Sequence, residues 1–445
     1  MTLSDLGKKI ESREAKLAVI GLGYVGLPVA CMFARAGFQV TGLDIKLELI
    51  SKINAGISPI EGEEPGLSEL LGEVVGSGHF YATDDYKELS LADIVLIDVE
   101  TPVDHDHKPN YSALISACQS MGRVLKSGAL VIVESTIAPG TSDHIVSTMI
   151  ESTSGKRVDN DYFLGVCPER VMPGKLLHNM RKMSRVCGGS TPETAKVMRE
   201  LYISIVEADL DTTDMLTAEL VKTTENAYRD VQIAFANEVA LICEAAGGDV
   251  WRVRELVNKS PYRQMHLPGA GVGGHCIPKD PWLLAHAAER EEVPLRLIPA
   301  ARAVNDWMPF HILDLLKDAL NEADRSISSA RILILGYAYL EDTDDVRNSP
   351  SAVLKEQLDQ LGTKTILHDP YITGYQGGLL ELAKGCNAVV LMVRHRPYLE
   401  LDLVALNSVL SSPVFIDGRG VYDPSALQSA GFIFRTIGRG LRQAL

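Results

Sequence analysis

No uninterrupted apolar run in this chain approaches the roughly 18 residues of a membrane span, and the opening MTLSDLGKKIESREAK lacks the apolar core of a signal peptide. A protein without a membrane segment is expected. Basic residues are outnumbered, and the formal net charge of −15 argues against nucleic acid as the main partner, because phosphate backbones are met by basic patches. An anionic ligand must therefore be met by local cations. The cysteines at 31, 118, 167, 187, 243, 276 and 386 form no CxxC pair, and seven is a poor basis for a disulfide framework, so a reducing cytoplasm fits best. What is present is ordinary for globular protein: 46% hydrophobic and 23% charged residues over 445 positions, a length that suggests about three domains.

Leu17–Ile20 reads as a short strand that runs into Gly21-Leu-Gly23-Tyr-Val-Gly26, then a helical stretch, then a second strand ending near Asp44. Strand, tight glycine turn, helix, strand and acid form the dinucleotide-binding fingerprint in its required context. The helix N-terminus receives the pyrophosphate, and Asp44 accepts the adenosine ribose hydroxyls while repelling a 2′-phosphate, so NAD is preferred to NADP. Further strands at Ile94–Val99 and Leu130–Val133 end in polar turns, which places Thr101 and Thr136 where cofactors lie in open α/β sheets. Asp104-His-Asp-His107 reads as solvated surface rather than a metal site, and no metal is expected. After a strand at Phe163–Cys167, Pro168-Glu169-Arg170-Val171 forms a loop whose opposite charges are readable as a surface salt bridge.

From Met215 the pattern predicts one long helix, capped near Thr212–Asp214 and ended by Gly247-Gly248. Lys222, Asn226 and Arg229 share one of its faces, and the apolar residues around them predict at least partial enclosure. Ala234, Phe235, Val239 and Ile242 offer more apolar surface than one short domain covers, which predicts a homodimer through this helix. Cys276 stands in PGAGVGGHCIPKDPW, a glycine- and proline-rich stretch, with Asp280-Pro281 reading as the cap and first position of the next helix. A helix N-terminus and Lys279 together favour a thiolate. The same cysteine reads equally as a small buried hydrophobe. Beyond Asn321–Ser329 a second α/β domain begins. Its first turn, starting at Gly336, lacks the other fingerprint glycines, while Arg347 and Arg419 stand in loops at strand ends, where arginine commonly meets phosphate.

From GLGYVGLP to DGRGVYD the chain resembles the UDP-glucose/GDP-mannose dehydrogenase family. CPERVMPGK, TAELVKTTENAYRDVQIAFANE and PGAGVGGHCIPKDPW look most like members acting on UDP-N-acetylmannosamine. The resemblance implies an α/β fold with two doubly wound Rossmann-like domains joined by a central helical domain, with boundaries at 1–208, 209–325 and 326–445. It implies oxidation of a UDP-sugar 6-hydroxyl to a carboxylate with two NAD in succession, for surface polysaccharide or glycan synthesis. Cys276 is then the nucleophile, Lys222 and Asn226 stabilise the oxyanion, Asp280 is the general base and Glu169 serves hydrolysis. The cofactor contacts implied are Tyr24, Val25, Asp44, Thr101, Thr136 and Arg347. Those to the nucleotide sugar are Arg170, Val171, Lys222, Asn226, Arg229, Gly273 and Arg419, with Arg263 reaching the partner's site in a homodimer. Leu340 stands where much of the family has lysine, and Arg263 falls one position later than the family's arginine. Lys279-Asp280 is closer to the UDP-glucose members, which keeps UDP-glucose as the alternative substrate, alongside UDP-N-acetylglucosamine. A non-catalytic nucleotide-sugar-binding protein is the reading from another class.

Overall fold

A computed structural model describes residues 1–60, 64–290 and 292–440. It divides into two compact units, Met1–Glu225 with Lys279–Pro294, and Asn226–Pro278 with Leu295–Leu445.

The first unit is built on an eight-stranded sheet of β1 Lys16–Ile20, β2 Gln39–Leu43, β3 Phe80–Thr83, β4 Ile94–Ile97, β5 Leu130–Val133, β6 Phe163–Val166, β7 Arg185–Gly189 and β8 Leu210–Asp214. The order is β3-β2-β1-β4-β5-β6-β7-β8. Its first six strands run in the order of the dinucleotide-binding fold. The central strands are apolar at every position because both sheet faces are covered. Alternation then splits their side chains between two cores, Leu17, Val19, Leu96 and Ile132 on one face and Ala18, Ile20, Val95 and Val133 on the other. The parallel run reverses at β7, which pairs antiparallel with β6 through Gly165–Gly189 and Val166–Gly188, and β8 runs parallel to β7.

The second unit carries five parallel strands, β9 Arg331–Leu335, β10 Lys364–His368, β11 Ala388–Leu391, β12 Val414–Asp417 and β13 Ile433–Thr436, in the order β10-β9-β11-β12-β13. Relative to its first strand this is 2-1-3-4-5, the other common doubly wound order. The helix Leu297–Glu322 lays Met308, Ile312, Leu316 and Leu320 on one face of that sheet.

The long helix runs over Met215–Ala246. Asp214 caps it, accepting from the Thr217 amide at 2.8 Å and the Thr217 hydroxyl at 2.7 Å. Gly247, with φ +74, ends it in the left-handed conformation that a side chain resists. One local expectation changes. The helix after Cys276 begins at Asp280, with the Lys279 carbonyl accepting the Trp282 and Leu283 amides, so Lys279 holds the cap position and Asp280 the first turn.

Candidate active site

The cofactor turn follows from its three glycines, each needed for a different reason. Gly21 has φ +93, and a Cβ there would meet the Asp98 carbonyl oxygen at 2.6 Å. A Cβ on Gly26 would stand 1.9 Å from the Gly21 oxygen, so the helix starting there packs on the turn itself. Gly23 has open space around it, with nothing within 4 Å of a built Cβ, which is the room a pyrophosphate needs. The helix Gly26–Arg35 has no side-chain cap at Val25, so its first amides face the turn without a side-chain acceptor. Asp44, half-buried beyond β2, is held by the Leu22 amide at 2.9 Å and the Lys46 amide at 3.0 Å. Turn, open helix end and acid fit a bound NAD. Thr101 and Thr136 close the loops after β4 and β5 together, the Thr101 hydroxyl donating to the Thr136 carbonyl at 2.6 Å.

Glu169 and Lys222 are both buried, with Nζ 3.5 Å from the carboxylate, and Glu169 also accepts the Val171 amide at 2.6 Å. The adjacent charges of Glu169 and Arg170, readable as a surface salt bridge, go to different partners. Arg170 donates to the Ser184 carbonyl at 2.7 Å and to Glu225 at 3.0 Å. Lys279 and Asp280 form a second buried pair at 2.7 Å. The 104–107 loop is folded by Asp104 onto its own Asp106 and Lys108 amides, and His107 stacks on Trp282 with ring centroids 4.0 Å apart. Among the described residues no cluster of His, Cys, Asp and Glu is arranged to hold a metal ion.

Three acids of this unit escaped the sequence reading. Glu219, 1% exposed, accepts the Gly140 and Ser142 amides at 2.5 and 2.9 Å, and burial pushes its carboxyl up to about 7. It lies one helical turn before Lys222, so it also joins that helix to the loop beyond Thr136. Asp98 lies under the glycine turn. Burial and then the neighbouring Glu134 raise it well above the usual carboxylate range, and neither of its oxygens finds a hydrogen-bond partner among the described residues. The third, Glu64, takes the Tyr24 hydroxyl and two amides of the loop after β6. No local pattern marks any of them.

In the second unit Cys276 is half-buried, whereas the other six cysteines of the chain are buried. Its loop needs glycine because it lies against the turn after β9. Cβ atoms on Gly273 and Gly274 would come within 2.6 Å of Tyr339 Cβ and 2.7 Å of the Tyr339 ring. Gly274 donates to the Arg347 carbonyl at 2.8 Å, and Asn348 Nδ2 donates to the Gly274 carbonyl at 3.0 Å. Further back, Gly269 donates to Asn237 at 2.9 Å, Asn237 to Asn305 at 2.9 Å, and Asn305 to Asp230 at 2.7 Å, while Arg302 pairs with Asp230 at 2.6 Å. A buried polar network therefore anchors the cysteine loop to two helices. Burial, then Asp345, push the Tyr339 hydroxyl up to about 12.

Arg419 packs on Gly269, where a Cβ would lie 2.5 Å from its guanidinium, and donates to the Met392 carbonyl at 2.6 Å. Arg347 is clamped by Asp345 at 2.5–3.1 Å. Along the long helix Lys222 is buried and Asn226 half-buried, but Arg229 is exposed. The enclosure expected for Arg229 fails because its apolar neighbours Tyr228 and Phe235 are themselves 63% and 60% exposed. Arg263 is exposed as well, its guanidinium donating to the Tyr262 carbonyl at 3.3 Å.

The second sheet repeats the left-handed glycine turn at Gly336, φ +88, but Ala338 replaces the second glycine. The acid beyond its second strand, Asp369, is fully buried. It accepts the Tyr337 amide at 2.7 Å, the Ala338 amide at 3.0 Å, the Tyr371 amide at 2.9 Å and His395 at 3.1 Å. A carboxylate so occupied has nothing left for a ribose.

The NAD binding domain of the UDP-glucose/GDP-mannose dehydrogenase family matches residues 15–206, its central domain residues 216–307 and its UDP binding domain residues 333–424. A UDP-N-acetyl-D-mannosamine dehydrogenase of Pyrococcus horikoshii is 39% identical over 96% of this chain and 99% of its own. Among solved structures, a UDP-D-ManNAc dehydrogenase from Pyrococcus horikoshii superposes with a TM-score of 0.91 at 38% identity, over 96% of this chain and 99% of that one. An NDP-N-acetyl-D-galactosaminuronic acid dehydrogenase from Methanosarcina mazei does so with 0.86 at 36%, over 99% and 98%. With a glycine turn fitted to NAD in one unit and a sheet closed to a second dinucleotide in the other, these matches make the chain a member of the UDP-glucose/GDP-mannose dehydrogenase family, an NAD-dependent nucleotide-sugar dehydrogenase.

Proposed function

We propose that the chain oxidises the 6-hydroxyl of UDP-N-acetyl-D-mannosamine to the uronate, for glycan synthesis in the cytoplasm. Each sugar consumes two NAD and one water and yields two NADH and three protons. NAD supplies the hydride acceptor for both oxidations. Asp280 takes the hydroxyl proton as the aldehyde forms. The Cys276 sulfur then bonds to the aldehyde carbon, holding the sugar as a thiohemiacetal while a second oxidant arrives. Lys222 and Asn226 stabilise negative charge on the reacting oxygen at each stage. Loss of the second hydride leaves a thioester, and Glu169 assists the water that breaks the carbon–sulfur bond and frees the thiolate. Arg170, Val171, Arg229, Gly273 and Arg419 are assigned to the nucleotide sugar, and Tyr24, Val25, Thr101, Thr136 and Arg347 to the cofactor.

The observation that carries the reading is the partly accessible Cys276 on a loop of glycines in a chain whose other cysteines are buried. The buried Glu169–Lys222 pair supports it, since it keeps a cation ready for oxyanion charge where water cannot screen it. UDP-glucose is the second reading, on the resemblance of Lys279-Asp280 to the UDP-glucose members of the family. We also propose a homodimer through the long helix. Tyr228, Phe235 and Ile242 recur every seven residues along it and are 60–63% exposed, an apolar stripe suited to a twin helix. Ala234 and Val239, expected in that stripe, face inward instead.

The test is NADH formation with UDP-N-acetylmannosamine, UDP-N-acetylglucosamine, UDP-N-acetylgalactosamine, UDP-glucose and GDP-mannose. Two NADH per UDP-N-acetylmannosamine is expected. One NADH per sugar would point to a simple alcohol dehydrogenase, and tight UDP binding with no NADH to a binding protein.

A further inference from the structure

Glu64 is not part of the chemistry just described, yet its carboxylate meets two segments far from it in sequence. One is the cofactor turn, through the Tyr24 hydroxyl. The other is the loop after β6, through the Gly174 amide at 2.6 Å and the Leu176 amide at 3.1 Å. The near end of that loop is already fixed, by Glu169 on the Val171 amide and by Arg170 on Ser184. Glu64 fixes its far end. Between them lies the stretch Val171–Gly174, with Gly174 in the left-handed region at φ +76.

We propose that Glu64 is a positioning residue that links the dinucleotide turn to the Glu169–Lys175 loop, so that cofactor binding sets this loop for the nucleotide sugar. Tyr24 stands between Gly23 and Gly26, so closure of the turn on a pyrophosphate moves its ring. A carboxylate accepting one hydroxyl and two amides is a short, charge-assisted connection, and any displacement of the hydroxyl is felt at the two amides. Such a link is reciprocal: if NAD or NADH tightens sugar binding, the sugar tightens theirs by the same factor. The inference rests on the proposed assignment of Arg170 and Val171 to the nucleotide sugar.

The test has one arm that needs no sugar. Hydrogen exchange over residues 168–178 is measured with and without NADH in the parent, Glu64→Ala and Tyr24→Phe. NADH is expected to slow exchange of the Gly174 and Leu176 amides in the parent and in neither variant. Tyr24→Phe keeps the carboxylate on both amides and should show parental protection without NADH, so its loss of the NADH-induced increment is the result that a purely structural role for Glu64 does not predict. In the second arm, NADH affinity is measured with and without saturating UDP-N-acetylmannosamine, a pair that cannot react. A parent coupling of about fivefold or more, typical of linked sites, should fall to within about twofold of unity in Glu64→Ala, with Glu64→Gln between them. Equal NADH-induced protection in parent and variants, or none in any of them, overturns the proposal, and so does coupling that survives in Glu64→Ala. A parent that shows the NADH-dependent protection but neither binds nor oxidises any nucleotide sugar overturns the substrate reading instead, and leaves the Glu64 link standing.

Discussion

Under the proposed reaction Cys276 and Lys222 make different demands on the two oxidations, and substitution separates them. Cys276→Ser keeps the shape but offers a hydroxyl scarcely ionised near neutral pH, against a thiol that is at least a few per cent thiolate. Net formation of uronate should nearly vanish, and the 6-aldehyde supplied directly should be oxidised no better. Oxidation of that aldehyde at close to the parent rate would remove Cys276 as the nucleophile. Lys222→Ala should slow both steps by roughly 100–1000-fold, the range for losing one oxyanion donor. It also leaves Glu169 buried without its cation, so stability must be measured beside rate. Glu219 allows a cleaner pH test. Its folded carboxyl stands at about 7, above the usual 4.5, so the folded state holds a proton that the unfolded chain has released. Between those values stability should fall as pH rises, by about 3 kcal/mol from this group, and level off above neutrality. Glu219→Gln, which cannot ionise, should lack that decline. Parallel pH–stability curves for the two proteins would show that Glu219 does not titrate as described.

At the scale of elements, legibility followed locality. The long helix could be read with its ends because Asp214 and Gly247 mark them beside an apolar repeat, and β5 because LVIV is a buried run between turns. The strand β8, LDTTD, was passed over because it is a sheet edge with most side chains in solvent, and β7, RVCGG, because two glycines replace the apolar alternation. Sequence showed the glycine turn and the cysteine loop. It did not show Glu64 and Glu219, whose nearest partners are 40 and 77 residues away, because a lone acid that binds distant groups leaves no periodicity. The glycine turn also sets an expectation. Gly26→Ala places a methyl against the Gly21 carbonyl, and overpacking of about 1–3 kcal/mol should weaken NAD binding by roughly tenfold or more. UDP affinity should stay within about twofold of the parent, as read by calorimetry of each ligand alone. Undiminished NAD affinity would mean that the turn relaxes without cost.

For the molecule as a whole, the proposed pairing of two chains is tested by sedimentation. Phe235→Asp together with Ile242→Asp should convert a dimer to monomer at micromolar concentration, because a charge would face its own twin across an apolar seam. A parent that sediments as a fully active monomer would remove the dimer. The fold class was legible from the order of strands and helices. The division into two compact units within the long helix was not, since a helix carries its periodicity across a boundary without a mark. One detail of the second sheet reaches furthest. Asp369 is spent on its own turn, so the second of the two sheets of similar winding offers no acid to the ribose of a nicotinamide coenzyme. Under the proposed reaction, the spent coenzyme must leave and a fresh one must enter while a half-oxidised sugar waits. An aldehyde held only by contacts would escape during that changeover, and every escape would release a reactive carbonyl into the cell. The tether at Cys276 thus sets the leakage rate, and trapping free aldehyde with a hydrazine during turnover would measure it.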